Sequence, residues 1–103
     1  EALREVFSEA SPERRQWCAL GSVKSQIGHT KGAAGAAGLF KVAMALHHKV
    51  LPPTIKVAEP NPALELEKSP FYLNTESRPW VRHDETPRRA SLSSFGFGGT
   101  NFH

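Results

Sequence analysis

Two short segments carry residues that could do chemistry. The first, Gly21-Ser22-Val23-Lys24-Ser25-Gln26-Ile27-Gly28-His29-Thr30, sets a lysine and a histidine five residues apart. Loops at strand ends, held by rigid scaffolding, are where catalytic groups collect. His29 stands just ahead of a stretch that reads as a helix, and the positive end of a helix disfavours the imidazolium form. A neutral imidazole can donate a hydrogen bond to negative charge that develops in a reaction. The same ring could equally do no more than satisfy loop carbonyls. The second segment, Phe95-Gly96-Phe97-Gly98-Gly99-Thr100-Asn101, clusters three glycines. Such a cluster can aim backbone N–H groups at a substrate oxygen, or can simply make a tight turn. The residues alone leave both readings open.

Other chemistry-bearing residues are weaker candidates. Cys18 follows Trp17 inside an apolar run and reads as a buried, inert thiol. His47 and His48 sit at a helix end, where cationic residues suit the dipole. Together with His29, His83 and Cys18 they show no metal-ligand spacing. Asp84-Glu85 reads as a solvated loop and Trp80 as a packing residue. Gly28-His-Thr-Lys-Gly32 lacks the Gly-Lys-Ser/Thr ending of a nucleotide loop.

The elements that must position these residues can be read from spacing. Residues 1–9 place Leu3, Val6 and Phe7 at helical intervals. Residues 17–22 form a short apolar run, read as a buried strand, and 23–29 a loop. Residues 31–48 are the strongest helix candidate. It begins with small residues, Gly32 to Gly38, and turns bulky from Leu39 onward. Each glycine in a helix interior costs about 1 kcal/mol relative to alanine. A helix tolerates three where another chain segment must come close, so its N-terminal half is expected to be deeply buried in a larger layered fold. Leu51-Pro52-Pro53-Thr54 is expected to stop it. Residues 50–69 then read as a long ordered connection. Residues 71–75 read as a strand, 78–81 as its continuation or partner, 83–87 as a loop and 89–94 as another strand. The order is that of an α/β protein.

Composition narrows the class. The chain has 103 residues, 39% hydrophobic and 22% charged, with 13 Lys plus Arg against 10 Asp plus Glu. That is globular composition. The basic residues are scattered rather than gathered on one face, which argues against nucleic acid as a partner. One cysteine permits no internal disulfide. No apolar run approaches the roughly 20 residues of a membrane span. The first residues read as the interior of a larger protein, and truncation is expected at both ends.

Taken together, Gly21-Ser-Val-Lys-Ser-Gln-Ile-Gly-His-Thr-Lys-Gly-Ala-Ala-Gly35, Leu51-Pro-Pro-Thr54 and Ser94-Phe-Gly-Phe-Gly-Gly-Thr-Asn101, in that order, resemble the β-ketoacyl synthase (ketosynthase) family. Ser69-Pro-Phe-Tyr-Leu-Asn-Thr-Glu76 with Arg78-Pro-Trp80 is most similar to iterative type I synthases of enediyne polyketides or polyunsaturated fatty acids. The resemblance implies a thiolase-like layered α/β fold with a mixed sheet and a buried Gly/Ala-rich helix. Residues 1–103 would be a C-terminal portion of it. It implies a decarboxylative Claisen condensation between an acyl thioester and a malonyl unit on the phosphopantetheine of an acyl carrier protein. No intrinsic cofactor and no metal are implied. Homodimerisation of the intact domain and a cytoplasmic location are.

By the same resemblance, His29 matches the second of two histidines that donate to the extender's carbonyl, and Lys24 the active-site lysine. The Phe97 N–H matches an oxyanion-hole donor and its ring a gate at the acyl pocket. Gly96, Gly98 and Gly99 would let that gate move. Departures also count. The nucleophilic cysteine belongs to a segment absent here, so this piece alone is expected to be inactive. Many stand-alone relatives carry a glutamate where this chain has Gly38. The competing readings are a non-condensing relative (a decarboxylase or chain-length partner) and a module that binds anions.

Overall fold

The computed structural model describes residues 2–96 and 98–103. Helix α1, Ala2–Ala10, lays Phe7 against Trp17 and Phe71, with ring centroids 5.7 and 5.2 Å apart. Arg4 Nη1 ties the same helix to Glu65 Oε2 at 2.8 Å. Strand β1, Cys18–Leu20, falls inside the expected 17–22. It runs parallel to a strand at Phe71–Leu73, Cys18 opposite Phe71 and Leu20 opposite Leu73. Parallel neighbours require a long crossover, and the long helix and the 50–69 connection supply it. Phe71 is buried beside the fully buried Ser69 and Pro70. Ser69 Oγ accepts from the Phe71 N–H at 3.1 Å and donates to Leu66 O at 3.0 Å, so the buried hydroxyl is satisfied.

Next comes a helical turn, α2, at Lys24–Ile27. The long helix then opens as a tight 3-10 turn over Lys31–Ala33 and becomes α-helical, as α3, at Ala34–His48. The expected close approach is real at two of its glycines. A Cβ on Gly38 would stand 2.6 Å from Leu92 Cδ1, and one on Gly35 3.1 Å from Ser94 Oγ. Deep burial was expected in a larger fold than the region this chain spans. Within this chain Gly38 is the buried residue of α3, while Leu39 and Phe40 are 59% and 68% exposed. Nor does proline end the helix. It stops at His48, four residues before Pro52, where Lys49 turns left-handed (φ 57°) and its N–H returns to Ala45 O.

Beyond it, β2, Val50–Leu51, begins the long connection. Two 3-10 turns, Pro62–Leu64 and Leu66–Lys68, order its far end. Asn61 Oδ1 accepts from the Ala63 N–H at 3.0 Å, with Pro62 at the first helical position, where a missing N–H costs nothing. Strand β3 is Phe71–Leu73. Strand β4, Arg78–Pro79, pairs antiparallel with β2 and not with β3, and the Trp80 N–H extends that pairing to Lys49 O at 2.7 Å. The strand expected at 89–94 shrinks to β5, Ser94–Phe95, which pairs antiparallel with β6, Asn101–Phe102. The mixed sheet is therefore present as three separate two-stranded pairs among the described residues.

A test of the α3 contact is Gly38→Val. The added branches must displace Leu92, and overpacking of this kind costs about 1–3 kcal/mol. Chemical denaturation should show that loss; an unchanged midpoint would mean that the 92–94 segment does not lie on the helix.

Candidate functional site

The site is built on the Leu51-Pro52-Pro53-Thr54 strap. Two consecutive prolines have no N–H to offer a ladder, so the strap is held through its carbonyls. Asn74, 5% exposed, supplies the donors. Its Nδ2 donates to Glu76 O at 2.8 Å and Pro52 O at 2.9 Å, with Leu51 O sharing at 3.2 Å. The Asn74 carbonyl accepts from the Thr54 N–H at 2.8 Å. Thr54, 6% exposed, passes the order on: its Oγ1 accepts from the Ser22 N–H at 3.2 Å. A Cβ at Gly21 would sit 2.9 Å from that oxygen, so the strap can close only over a glycine.

The chemistry-bearing turn follows directly. Ser22 Oγ accepts from the Lys24 N–H at 3.2 Å, and Ser25 Oγ donates to Ser22 O at 3.0 Å. Ser25 Oγ also accepts from the Ile55 N–H at 3.2 Å, a second tie to the strap. Lys24 is thus the first residue of a helical turn, α2, and not part of an irregular loop. Gly28 closes that turn, its N–H on Lys24 O at 2.9 Å, with φ 77° and ψ −175°. Only glycine takes that region cheaply, and it swings the chain outward to His29.

The His29 ring is exposed in this chain, and its Nδ1 accepts from the Lys31 N–H at 3.0 Å. A ring nitrogen that accepts carries no proton, so the hydrogen sits on Nε2, which is left as a donor. The tautomer is thus set by a backbone bond. The helix dipole contributes less than the sequence implied. The α-helix begins at Ala34, behind an intervening 3-10 turn, and dipole effects fade within about one turn.

The glycine segment is a hairpin tip between β5 and β6. The Gly96 N–H donates to Thr100 O at 2.9 Å and the Gly99 N–H to Gly96 O at 3.1 Å, with Gly99 at φ 82°. Those two N–H groups are spent within the hairpin. Gly98 is exposed and has open space where a Cβ would be. Phe97, expected to supply both oxyanion donor and gate, lies outside the described residues. An open cavity of about 740 Å³ joins the start of the long helix (Gly32, Gly35, Leu39) to the base of the hairpin (Leu92, Ser94, Phe102). The structure therefore brings the segment after His29 beside the hairpin. Among the described residues no hydrogen bond or ion pair joins Lys24 or His29 to the hairpin.

Sequence reasoning missed the residues that hold the strap and the turn together: Thr54, Asn74 and Ser25. The available signal was the proline pair, whose neighbouring carbonyls must find donors elsewhere. Cys18 is half-buried and its thiol is pushed up by burial, which is the opposite of an activated nucleophile.

Two substitutions test this construction. Asn74→Ala leaves part-buried carbonyls without their donor and should cost about 1–3 kcal/mol by denaturant titration; a near-neutral result would remove Asn74 from its role. Gly28→Ala meets no atom within 4 Å of the added Cβ. Its penalty of about 1–3 kcal/mol would be pure backbone strain, and an alanine variant as stable as the parent would contradict the observed φ.

The family described as "Beta-ketoacyl synthase, C-terminal domain" matches residues 1–58. Polyketide synthase PksL of Bacillus subtilis (strain 168) is 53% identical over 103 residues, 100% of this chain and 2% of that protein. A polyunsaturated fatty acid synthase polypeptide of Thraustochytrium sp. is 51% identical over 107 residues, 99% of this chain and 4% of that protein. Among solved structures, the ketosynthase from module 6 of the bacillaene synthase of Bacillus subtilis 168 superposes with a TM-score of 0.92 at 53% identity. That match covers 97% of this chain and 18% of the ketosynthase. Ketosynthase twelve of the Bacillus amyloliquefaciens bacillaene synthase gives 0.90 at 49%, with 97% and 18% covered. The likeness shows the thiolase-like ketosynthase fold over the region this chain spans, a small fraction of its relatives' length. With more than half of its residues matched by the family model, the chain belongs to the β-ketoacyl synthase family, in its C-terminal domain.

Proposed function

We propose that this chain supplies part of the condensing site of a ketosynthase that extends polyketide or fatty acyl chains. In the reaction, an acyl group waits as a thioester on a cysteine outside this chain. A malonyl thioester, carried on the phosphopantetheine of an acyl carrier protein, loses carbon dioxide. The electron pair of the broken C–C bond moves into the thioester carbonyl as an enolate. The enolate carbon then attacks the acyl thioester, a new C–C bond forms, and the cysteine thiolate leaves.

The observation that carries this reading is the bond from the Lys31 N–H to His29 Nδ1, which leaves Nε2–H as a donor. An enolate oxygen bears far more charge than the ground-state carbonyl, so a donor aimed at it favours the transition state selectively. Lys24, six residues before the Thr30 that starts the helix entry, adds positive charge to the same turn. Phe97, with Gly96, Gly98 and Gly99, would serve the acyl side as oxyanion donor and gate. The intact domain would act as a cytoplasmic homodimer, and this portion alone, without the nucleophile, would not condense.

The test is His29→Ala in the intact ketosynthase. Acyl loading onto the cysteine should survive, while carbon dioxide release from the malonyl thioester falls about 10²–10³-fold, the usual effect of losing one such donor. Undiminished release in that variant would refute the role.

A further inference from the structure

Lys41 sits in the middle of α3, and its side chain reaches across to the strap. Its Nζ donates to Pro53 O at 3.2 Å and, more weakly, to Ser22 O at 3.5 Å. Each of those carbonyls also takes a neutral donor: Ser22 O from Ser25 Oγ at 3.0 Å, Pro53 O from Gln26 Nε2 at 3.4 Å. One ammonium group therefore joins three pieces of chain, namely the long helix, the strap and the turn that carries Lys24 and His29. A charged donor binds a carbonyl about twice as strongly as a neutral one.

Its surroundings strengthen the clamp. Lys41 is half-buried and lines an apolar groove with Val23, Ile27, Phe40 and Met44. Low local polarity raises the strength of each hydrogen bond and also the penalty for leaving one unmade. Burial pushes the ammonium below the ordinary lysine range. Among the described residues no carboxylate pairs with it, so these carbonyls are its partners.

We propose that Lys41 is a positioning residue that clamps the Ser22–Gly28 turn onto Pro53 and thereby fixes where Lys24 and His29 stand, without touching substrate. The proposal rests on the role given to His29 above. Thr54 and Ser25 already hold the turn by its N–H side and its middle. Lys41 holds the carbonyl side, and among the described residues no other α3 side chain hydrogen-bonds there. Loss of the clamp would let the turn drift by a fraction of a turn's width, enough to misaim a hydrogen-bond donor while leaving the fold intact.

The experiment compares Lys41→Met, Lys41→Arg and His29→Ala in the intact ketosynthase, reading acyl loading separately from carbon dioxide release. Methionine keeps the apolar stem and removes the donors. Its kcat for carbon dioxide release should fall about ten- to a hundredfold, with loading and KM changed by no more than about twofold, since misplacement affects the transition state more than binding. Arginine should restore most of that kcat. An unchanged kcat in folded Lys41→Met overturns the proposal. So does a parallel loss of loading and release that arginine does not rescue, because that is general destabilisation. If the methionine variant does not fold, Lys41→Gln, which retains a neutral donor, is read by the same criteria. His29→Ala separates the two ideas: normal release there defeats the His29 reading, whereas collapse there with normal release in Lys41→Met defeats the clamp alone.

Discussion

A buried primary amide decides where the proline strap lies, and the reactive turn hangs from that strap. Asn74 sits just past β3, so its position is set by the parallel pairing of β3 with β1. Its Nδ2 donates to Pro52 O in the strap and to Glu76 O just beyond β3, and the backbone carbonyl of the same residue takes the Thr54 N–H. Thr54 then takes the Ser22 N–H, and Ser22 is the second residue beyond β1. The loop closes on itself: strand, amide, strap, threonine, and back to the end of the neighbouring strand. A polar chain of this kind is stable only if every member is satisfied, because a half-made buried network costs more than an apolar one. Asn74 and Thr54 are among the few buried polar residues of the chain, and both have partners.

The histidine is held by a different balance. Lys31 adopts φ 51°, a left-handed conformation that costs a non-glycine residue about 1–2 kcal/mol. The Lys31 N–H, whose direction is set by the backbone of His29 and Thr30, bonds back to His29 Nδ1, and the left-handed residue itself sends the chain into the 3-10 turn that precedes α3. The bond contributes about 0.5–1.5 kcal/mol net and fixes the tautomer of the ring. Gly28, on the other side of the ring, holds a conformation that glycine alone takes cheaply.

Much of this was legible in the sequence where local chemistry and tertiary structure agree. Leu3, Val6 and Phe7 predicted α1, and the apolar run near Cys18 predicted β1. The glycines of the long helix predicted close approach, which Leu92 and Ser94 provide at Gly38 and Gly35. What failed depended on long-range partners. Arg78–Pro79 chose β2 over the adjacent β3, because the helix end at Lys49 delivers Val50–Leu51 alongside it. Residues 89–93 have strand-like composition, yet they lie over glycines of α3 and leave only Ser94–Phe95 for pairing. The helix ends at His48 as its spacing predicted, but a lysine in the left-handed position that glycine usually marks ends it, and not the prolines. The strap was read as punctuation, since a proline pair announces what it forbids and not which carbonyls it leaves to be satisfied.

The glycine at position 38 bears on electrostatics as well as packing. A carboxylate there, as in many stand-alone ketosynthases, would need the space that Leu92 fills in this chain. The helix therefore cannot offer Lys24 an acidic partner at that position, and among the described residues Lys24 forms no ion pair. Its charge is left free to act on whatever develops beside the turn. Lys41 likewise turns its ammonium to carbonyl oxygens rather than to a counter-charge. Two lysines without carboxylates make a surrounding that favours anions over cations. Under the proposed mechanism that bias stabilises the enolate that the His29 Nε2–H must meet.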